Sequence, residues 1–438
     1  MKARTASVVI LTGVLLAGAV AGGAQSRTEQ WNAYQDILLA KTPAERVQAA
    51  EAFLKAYPQS DYRVYVYPLY SEAALAGRDY PKAMAAADGF FGIDREEVLK
   101  AYRESDPSVQ EAALEPVYYR MALLYTFSFL QGFRADSPQA DALAARAAER
   151  ARQGLELHRK LYSAAQPPAD PAARKQFEDD KLTQEASFRK VLAFVAERKK
   201  DYAAAAKEYA PLAKLTPNDA WVNYRLGLSN LQQPTPDYRT GIWHVGRAIA
   251  LKVNKSDDVK DYLTKVISAH QQVVPECAAD QVNDIIAAAG QSAEPPTAWR
   301  LISADEVNAV REGLTLPRIF NDLKAGGETE HLIWLASCGS ELPELEAEVL
   351  AVSQNPDNLV TLAVAVTQEA SDAKQPDIEV RVVAPPEAKN LKVGDFIHFT
   401  GIVSGYQKEP FFQLKLKDGK VKAEDIPKPA RRAAAAGR

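Results

Sequence analysis

Five histidines, at positions 158, 244, 270, 331 and 398, and two cysteines, Cys277 and Cys338, are the residues of this chain whose types best suit catalysis or metal binding. Their spacing points away from both. No two histidines stand four apart with a glutamate between them, the arrangement that lets one helical face hold a zinc ion. With one or no histidine per segment and two distant cysteines, no zinc or iron ligand set is legible. The chain lacks the sharp strand-to-helix serine turn of hydrolases and the glycine-rich loop whose lysine cradles phosphates. Gly326-Gly327 reads as a helix stop rather than a ligand loop. Acids on distant helices could still meet in space, yet spacing singles out no pair among the 57 acidic residues. The expectation is therefore a protein that is not an enzyme, with no catalytic residue, no cofactor and no metal.

At 438 residues, with 47% apolar and 25% charged content, the chain has globular composition, and at about 150 residues per domain it holds two or three units. A net charge of −4 argues against a general polyanion binder, because such affinity comes from Lys and Arg displacing counterions. The amino terminus carries a second pattern. Lys2 and Arg4 precede an apolar run over 6–21, and Gly22-Gly23-Ala24 supplies small residues before Gln25. This predicts a secretory signal peptide over 1–24, since the run is short for a spanning helix of about 20 apolar residues. No cysteine at that point suggests lipid attachment, and no later segment approaches spanning length. Export would place the mature chain in the periplasm or outside the cell. There Cys277 and Cys338 would either bridge, clamping the end of the helical part to the start of the strand-rich part, or stay as two half-buried thiols.

From about 30 to 289 the pattern is helical, with alanine-rich amphipathic stretches cut by Pro, Gly and Asp. Residues 116–162 read as an aromatic helix followed by a charged, alanine-rich one, and 166–171 as a loop. Two stretches repeat each other at about 34 residues. Leu192-Ala193 aligns with Leu226-Gly227, and Asp201-Tyr202 and Ala205 align with Asp237-Tyr238 and Gly241 after a two-residue insertion near Pro234. Fainter echoes occur at Gly77-Arg78-Asp79-Tyr80 and Tyr57-Pro58. This repeat, with a small residue in each helix, a Tyr after the turn and the Pro217 close, is similar to tetratricopeptide repeats. The resemblance implies helical hairpins stacked over 27–290, because one pair alone leaves an apolar stripe on both sides. Small residues at Ala193, Ala205, Gly227, Gly241 and Ala248 would let helices approach closely. The resemblance also implies a partner-binding face on the helix after Asp219, formed by Trp221, Tyr224, Leu228 and Leu231; the alternative use of those residues is to cover a neighbouring hairpin. Asn230 and Val253 depart from the family pattern.

Around 293–297 a Pro-rich linker opens a helical connector, 297–340, in which Ser303 and Glu306 have capping-box spacing. Five strands follow, over 345–353, 359–367, 378–383, 395–404 and 411–417, separated by turn residues. In the fourth, Ile397, Phe399, Gly401 and Val403 share one face, and Phe396, His398, Thr400 and Ile402 the other. Strand number and glycine placement over 341–427 resemble the OB fold, a small five-stranded barrel. Such barrels bind single strands or oligosaccharides, but residues 340–427 hold nine Lys and Arg against fifteen Asp and Glu, the wrong sign for a phosphate groove. No nucleic-acid partner is expected, and Phe396, His398, Phe411 and Phe412 are expected to contact the preceding helices rather than stack bases. The basic tail, 428–438, is expected to be disordered.

The expected architecture is α+β and multidomain: an all-α helical solenoid followed by a five-stranded OB-like barrel. The expected role is a non-catalytic scaffold of the bacterial cell envelope holding a protein or peptide partner, with an envelope polysaccharide protein that uses the barrel as its ligand module as the alternative.

Overall fold

The computed structural model describes residues 21–354 and 359–427. The predicted signal peptide, apart from residues 21–24 at the start of the first helix, and the predicted basic tail lie outside them. The fold class is α+β and multidomain, and the chain divides into two compact units, 1–236 and 237–438. That boundary falls inside the second of the two matching stretches.

In the first unit the helices are α1 (Ala21–Leu39), α2 (Pro43–Ala56), α3 (Arg63–Ala76), α4 (Tyr80–Phe91), α5 (Arg95–Ser105), α6 (Glu115–Gly132), α7 (Ala140–Ala164), α8 (Pro171–Arg198), α9 (Tyr202–Leu215) and α10 (Ala220–Leu231). Each packs on its chain neighbour from α1 to α4 and from α6 to α10, and α6 also packs on α4 and α8. The echo seen in the sequence has a local physical cause. At the ends of α3 and α8, Arg78 and Lys200 take left-handed backbone, φ +60° and +59°. The next N–H, of Asp79 or Asp201, then closes back on the carbonyl of Ala74 or Ala196 at 2.8 and 2.9 Å. This satisfies a carbonyl that the helix end would leave without a partner. Each aspartate also caps the following helix, accepting from the N–H of Lys82 at 3.2 Å and of Ala204 at 3.0 Å. One short motif therefore ends one helix, reverses the chain and starts the next.

Small residues set how closely the helices approach. A Cβ on Gly154 of α7 would lie 2.2 Å from a ring carbon of Phe188 on α8, and one on Gly132 of α6 would lie 2.4 Å from Cβ of Tyr80 on α4. Ala193 and Ala205 are wholly buried between α8 and its neighbours. The long middle helices and the 166–171 loop occur where the sequence placed them.

The second unit begins with α11 (Tyr238–Ala250), α12 (Ser256–Gln271), α13 (Pro275–Gln291), α14 (Ala304–Arg311), α15 (Leu316–Ala325) and α16 (Gly327–Ser337). Ser303 and Glu306 form the capping box expected at α14. A closed barrel follows: β1 (Glu341–Gln354), β2 (Val360–Ala365), β3 (Ile378–Ala384), β4 (Phe396–Gln407) and β5 (Gln413–Val421), with a short helix α17 (Gln368–Ala373) between β2 and β3. Around the barrel the order is β1-β2-β3-β5-β4, closed by the β1–β4 pairing. Among the described residues, only β3 and β5 run parallel. Along β4, Ile397, Phe399 and Val403 point inward and are buried, with the alternation the sequence predicts. Helix α17 was not anticipated; its start is capped by Thr367, which accepts from Ala370 N–H at 3.2 Å.

The barrel core extends into the preceding helices. Ile319, Phe320 and Leu323 of α15, and Ile333 and Trp334 of α16, join the same buried cluster as the barrel interior. Cys277 of α13 and Cys338, just after α16, form a disulfide with Cα atoms 5.8 Å apart. Trp334 Nε1 donates beside it to the Cys277 carbonyl at 3.0 Å. Of the two uses open to the cysteines, the bridge is the one found.

Two stability outcomes follow from these contacts. Gly154→Ala should lower the unfolding free energy of the first unit by about 1–3 kcal/mol through overpacking against Phe188, and Phe188→Leu in the same chain should recover part of the loss. Urea titrations of both variants check this, and additive losses would contradict the contact. Replacing Cys277 and Cys338 together by serine should destabilise the second unit by up to about 4 kcal/mol, since the bridge closes a loop of 61 residues. An unchanged melting transition would show that the bridge constrains nothing.

Candidate functional site

Helix α10 starts at Asp219, whose carboxylate accepts from the N–H groups of Trp221 and Val222 at 3.0 and 3.1 Å. Its inner face, Val222, Asn223, Leu226, Gly227, Ser229 and Asn230, is buried. The four residues assigned to partner binding fall together on the other face: Trp221 is 43% exposed, while Tyr224, Leu228 and Leu231 are half-buried. Trp221 does not stand alone, because its ring meets Tyr209 edge-on at 5.9 Å and the Arg225 guanidinium lies over it at 5.9 Å.

Beneath that face lies a buried carboxylate, Glu197 of α8. Arg225 Nε donates to both of its oxygens at 2.9 and 3.0 Å, the Tyr209 hydroxyl donates at 3.0 Å, and the Ser229 hydroxyl at 3.3 Å. A buried charge persists only when its lone pairs are met, and here groups from α9 and α10 meet them. Burial, and then the charge of Glu197, push the Tyr209 hydroxyl far above the usual phenol range. Burial opposes the charge on Arg225, but the hydrogen bond and charge of Glu197 outweigh it and raise its pKa. This cluster ties α8, α9 and α10 into one block and, through Arg225, braces one face of the Trp221 ring.

A groove of about 610 Å³ opens on another side of α8, between α7 and α9. Its floor is aliphatic and buried: Ala148, Leu155, Leu192 and Val195. Half-buried Ala196 and Ala204 keep it deep, since neither side chain reaches across. Its rim is charged, with Arg152, Glu156 and Arg159 on α7, Lys199 after α8, and Asp201, Lys207 and Glu208 at α9. Nothing in a single segment marks this site. The signal available was the face of α7 on which Ala148, Arg152, Leu155 and Arg159 recur at helical spacing, and that reads equally as a solvated helix.

A second surface missed from sequence is an aromatic tract in α1, α3 and α5. Tyr34 stacks on Tyr62 at 5.5 Å, Trp31 tilts against both at 5.9 Å, and Tyr65 continues to Tyr102 at 5.0 Å. All five rings are half-buried. Burial, aided by the neighbouring tyrosines, pushes the Tyr34 hydroxyl up to about 12. The pairs 31/34 and 62/65, each three residues apart, were the available signal.

The histidines are scattered in the structure as in the sequence. His158 Nδ1 meets the Tyr119 hydroxyl at 3.0 Å, His270 lies on Tyr238 with centroids 4.1 Å apart, and His398 Nδ1 meets Asp425 at 3.0 Å. On the barrel, Phe412 packs on Phe320 of α15 at 5.3 Å, as expected of a helix contact. Phe396 does not, and stands 65% exposed.

Glu197→Ala should cost about 3 kcal/mol, because it strands the Arg225 charge and the Tyr209 hydroxyl, and it should quench or shift Trp221 fluorescence as the support is lost. Glu197→Gln, which keeps the shape, should cost less. Equal effects from both variants would mean that packing and not the charge pair holds the block. Compared with protein-family models and with curated proteins, the chain matches none.

Proposed function

We propose that this chain is an exported, non-catalytic scaffold of the bacterial cell envelope, built from tetratricopeptide-like helical pairs that hold a protein or peptide partner. One observation carries the reading: the open groove over α8, about 610 Å³ with a buried aliphatic floor, lies within the size range of sites that enclose a ligand, about 300–1,000 Å³. The exposed Trp221 on α10, with Tyr224, Leu228 and Leu231 beside it, offers a further contact of the kind that anchors interfaces, because a rigid ring gives large area at little entropic cost. The repeated turn at Asp79 and Asp201 supports the family resemblance. Export is supported by the amino-terminal pattern and by the Cys277–Cys338 bridge, which persists in oxidising compartments.

The test is retention. The immobilised full chain should retain a specific protein from envelope extract, Ala196→Trp should lose it by filling the groove, and Trp221→Ala should weaken it. Identical retention by the wild-type chain and Ala196→Trp, with both folded by circular dichroism, would remove the groove from the function. Glycan binding that survives both substitutions and disappears in Phe396→Ala would replace the scaffold by the polysaccharide reading.

A further inference from the structure

We infer that the groove over α8 recognises an acidic peptide segment, one in which apolar side chains are flanked by aspartate or glutamate. This rests on the reading of the groove as a partner site and names the chemistry of that partner. The floor of Leu155, Leu192 and Val195 asks for apolar side chains, because only these gain by leaving water against it. The rim asks for negative charge. Arg152, Arg159, Lys199 and Lys207 are exposed, and among the described residues none of the four has a carboxylate partner. Their helical neighbours differ: Arg189 holds Glu208 at 3.1 Å and Arg198 holds Asp141 at 2.9 Å.

The acids of the rim do not cancel these cations. Glu208 shares Arg189 with Glu185, at 3.1 and 2.8 Å, and Asp201 spends its side chain capping α9 on the Ala204 N–H at 3.0 Å. Counting Glu156, Asp201 and Glu208, four cations face three carboxylates, an excess of one positive charge in a chain whose net charge is −4. The cations stand on both banks, Arg152 and Arg159 on α7 and Lys207 on α9, so acids on either side of an apolar centre would each find one. A simple anion would gain little here, since exposed ion pairs are individually weak and screened by salt. A polyphosphate chain would leave the aliphatic floor uncovered. An acidic peptide uses both halves: the floor supplies affinity, and the rim supplies encounter rate and selection against basic sequences.

Fluorescence anisotropy on the full chain tests this with three labelled hexapeptides, EDLFED, QNLFQN and KKLFKK, at about 50 mM salt, where screening is modest. EDLFED should bind about tenfold or more tighter than QNLFQN, and KKLFKK should bind weakest. In the double variant Arg152→Glu with Lys207→Glu, both surface changes, the order of EDLFED and KKLFKK should invert. An EDLFED affinity no better than that of QNLFQN, or an order unchanged in the double variant, overturns the inference. If EDLFED and QNLFQN bind equally and both are lost in Ala196→Trp, the groove is a peptide site without charge selection. The scaffold reading then stands and the acidic partner falls. If none of the three binds, the inference falls outright, and the scaffold reading is decided by the retention experiment.

Discussion

A helical pair cannot cover both of its own apolar sides, and the first unit is organised around that constraint. Helix α8 shows it residue by residue. Phe188, Val191, Leu192 and Val195 belong to the core shared with α6 and α7, whereas Ala186 and Ala193 belong to the core shared with α9 and α10. Both faces are buried only because neighbours stand on each side. Close approach is allowed where a side chain is missing, at Gly132 and Gly154. The interior is therefore a series of separate cores joined through shared helices, and removing one pair would expose the faces of its neighbours.

The groove beside α8 and the exposed face of α10 follow from the same arrangement. α7 and α9 flank one side of α8 without meeting above it, and the alanines between them leave the groove floor low. Nearby, the one deeply buried carboxylate of this block, Glu197, is met from α9 and α10 by Tyr209 and Arg225. Hydrophobic burial alone is directionless. The charge-assisted bonds fix how far α10 can rotate, and hence where Trp221 is presented.

Elements with short-range causes were legible in the sequence. The turn at Asp79 and Asp201 is written in three consecutive residues, and the barrel strands in strict alternation, so both were found close to their observed bounds. β1 begins at Glu341, ahead of the expected 345, because its first residues pair with Ile402 and Gly401 of β4, a partner some sixty residues away. α17 was missed because Gln368–Ala373 is too short to show a helical period. The groove was missed for a different reason. Its cations stand on two helices and the turn between α8 and α9, and nothing local distinguishes Arg152 or Lys207 from ordinary solvated charges. The aromatic tract joins Trp31 to Tyr102 across three helices and reads, one ring at a time, as core. The bridge between Cys277 and Cys338 was open to either outcome until α13 and α16 were placed side by side.

The most direct measurement is site-specific photocrosslinking in cells that express the protein. A benzophenone amino acid is introduced at Lys207 on the groove rim and, in a separate chain, at the exposed Lys55 of α2. A groove that receives a partner predicts one discrete adduct from position 207, suppressed when Ala196→Trp is combined with it, and none of that mass from position 55. The same adducts from both positions, or an adduct at 207 untouched by Ala196→Trp, would contradict a partner seated between α7 and α9.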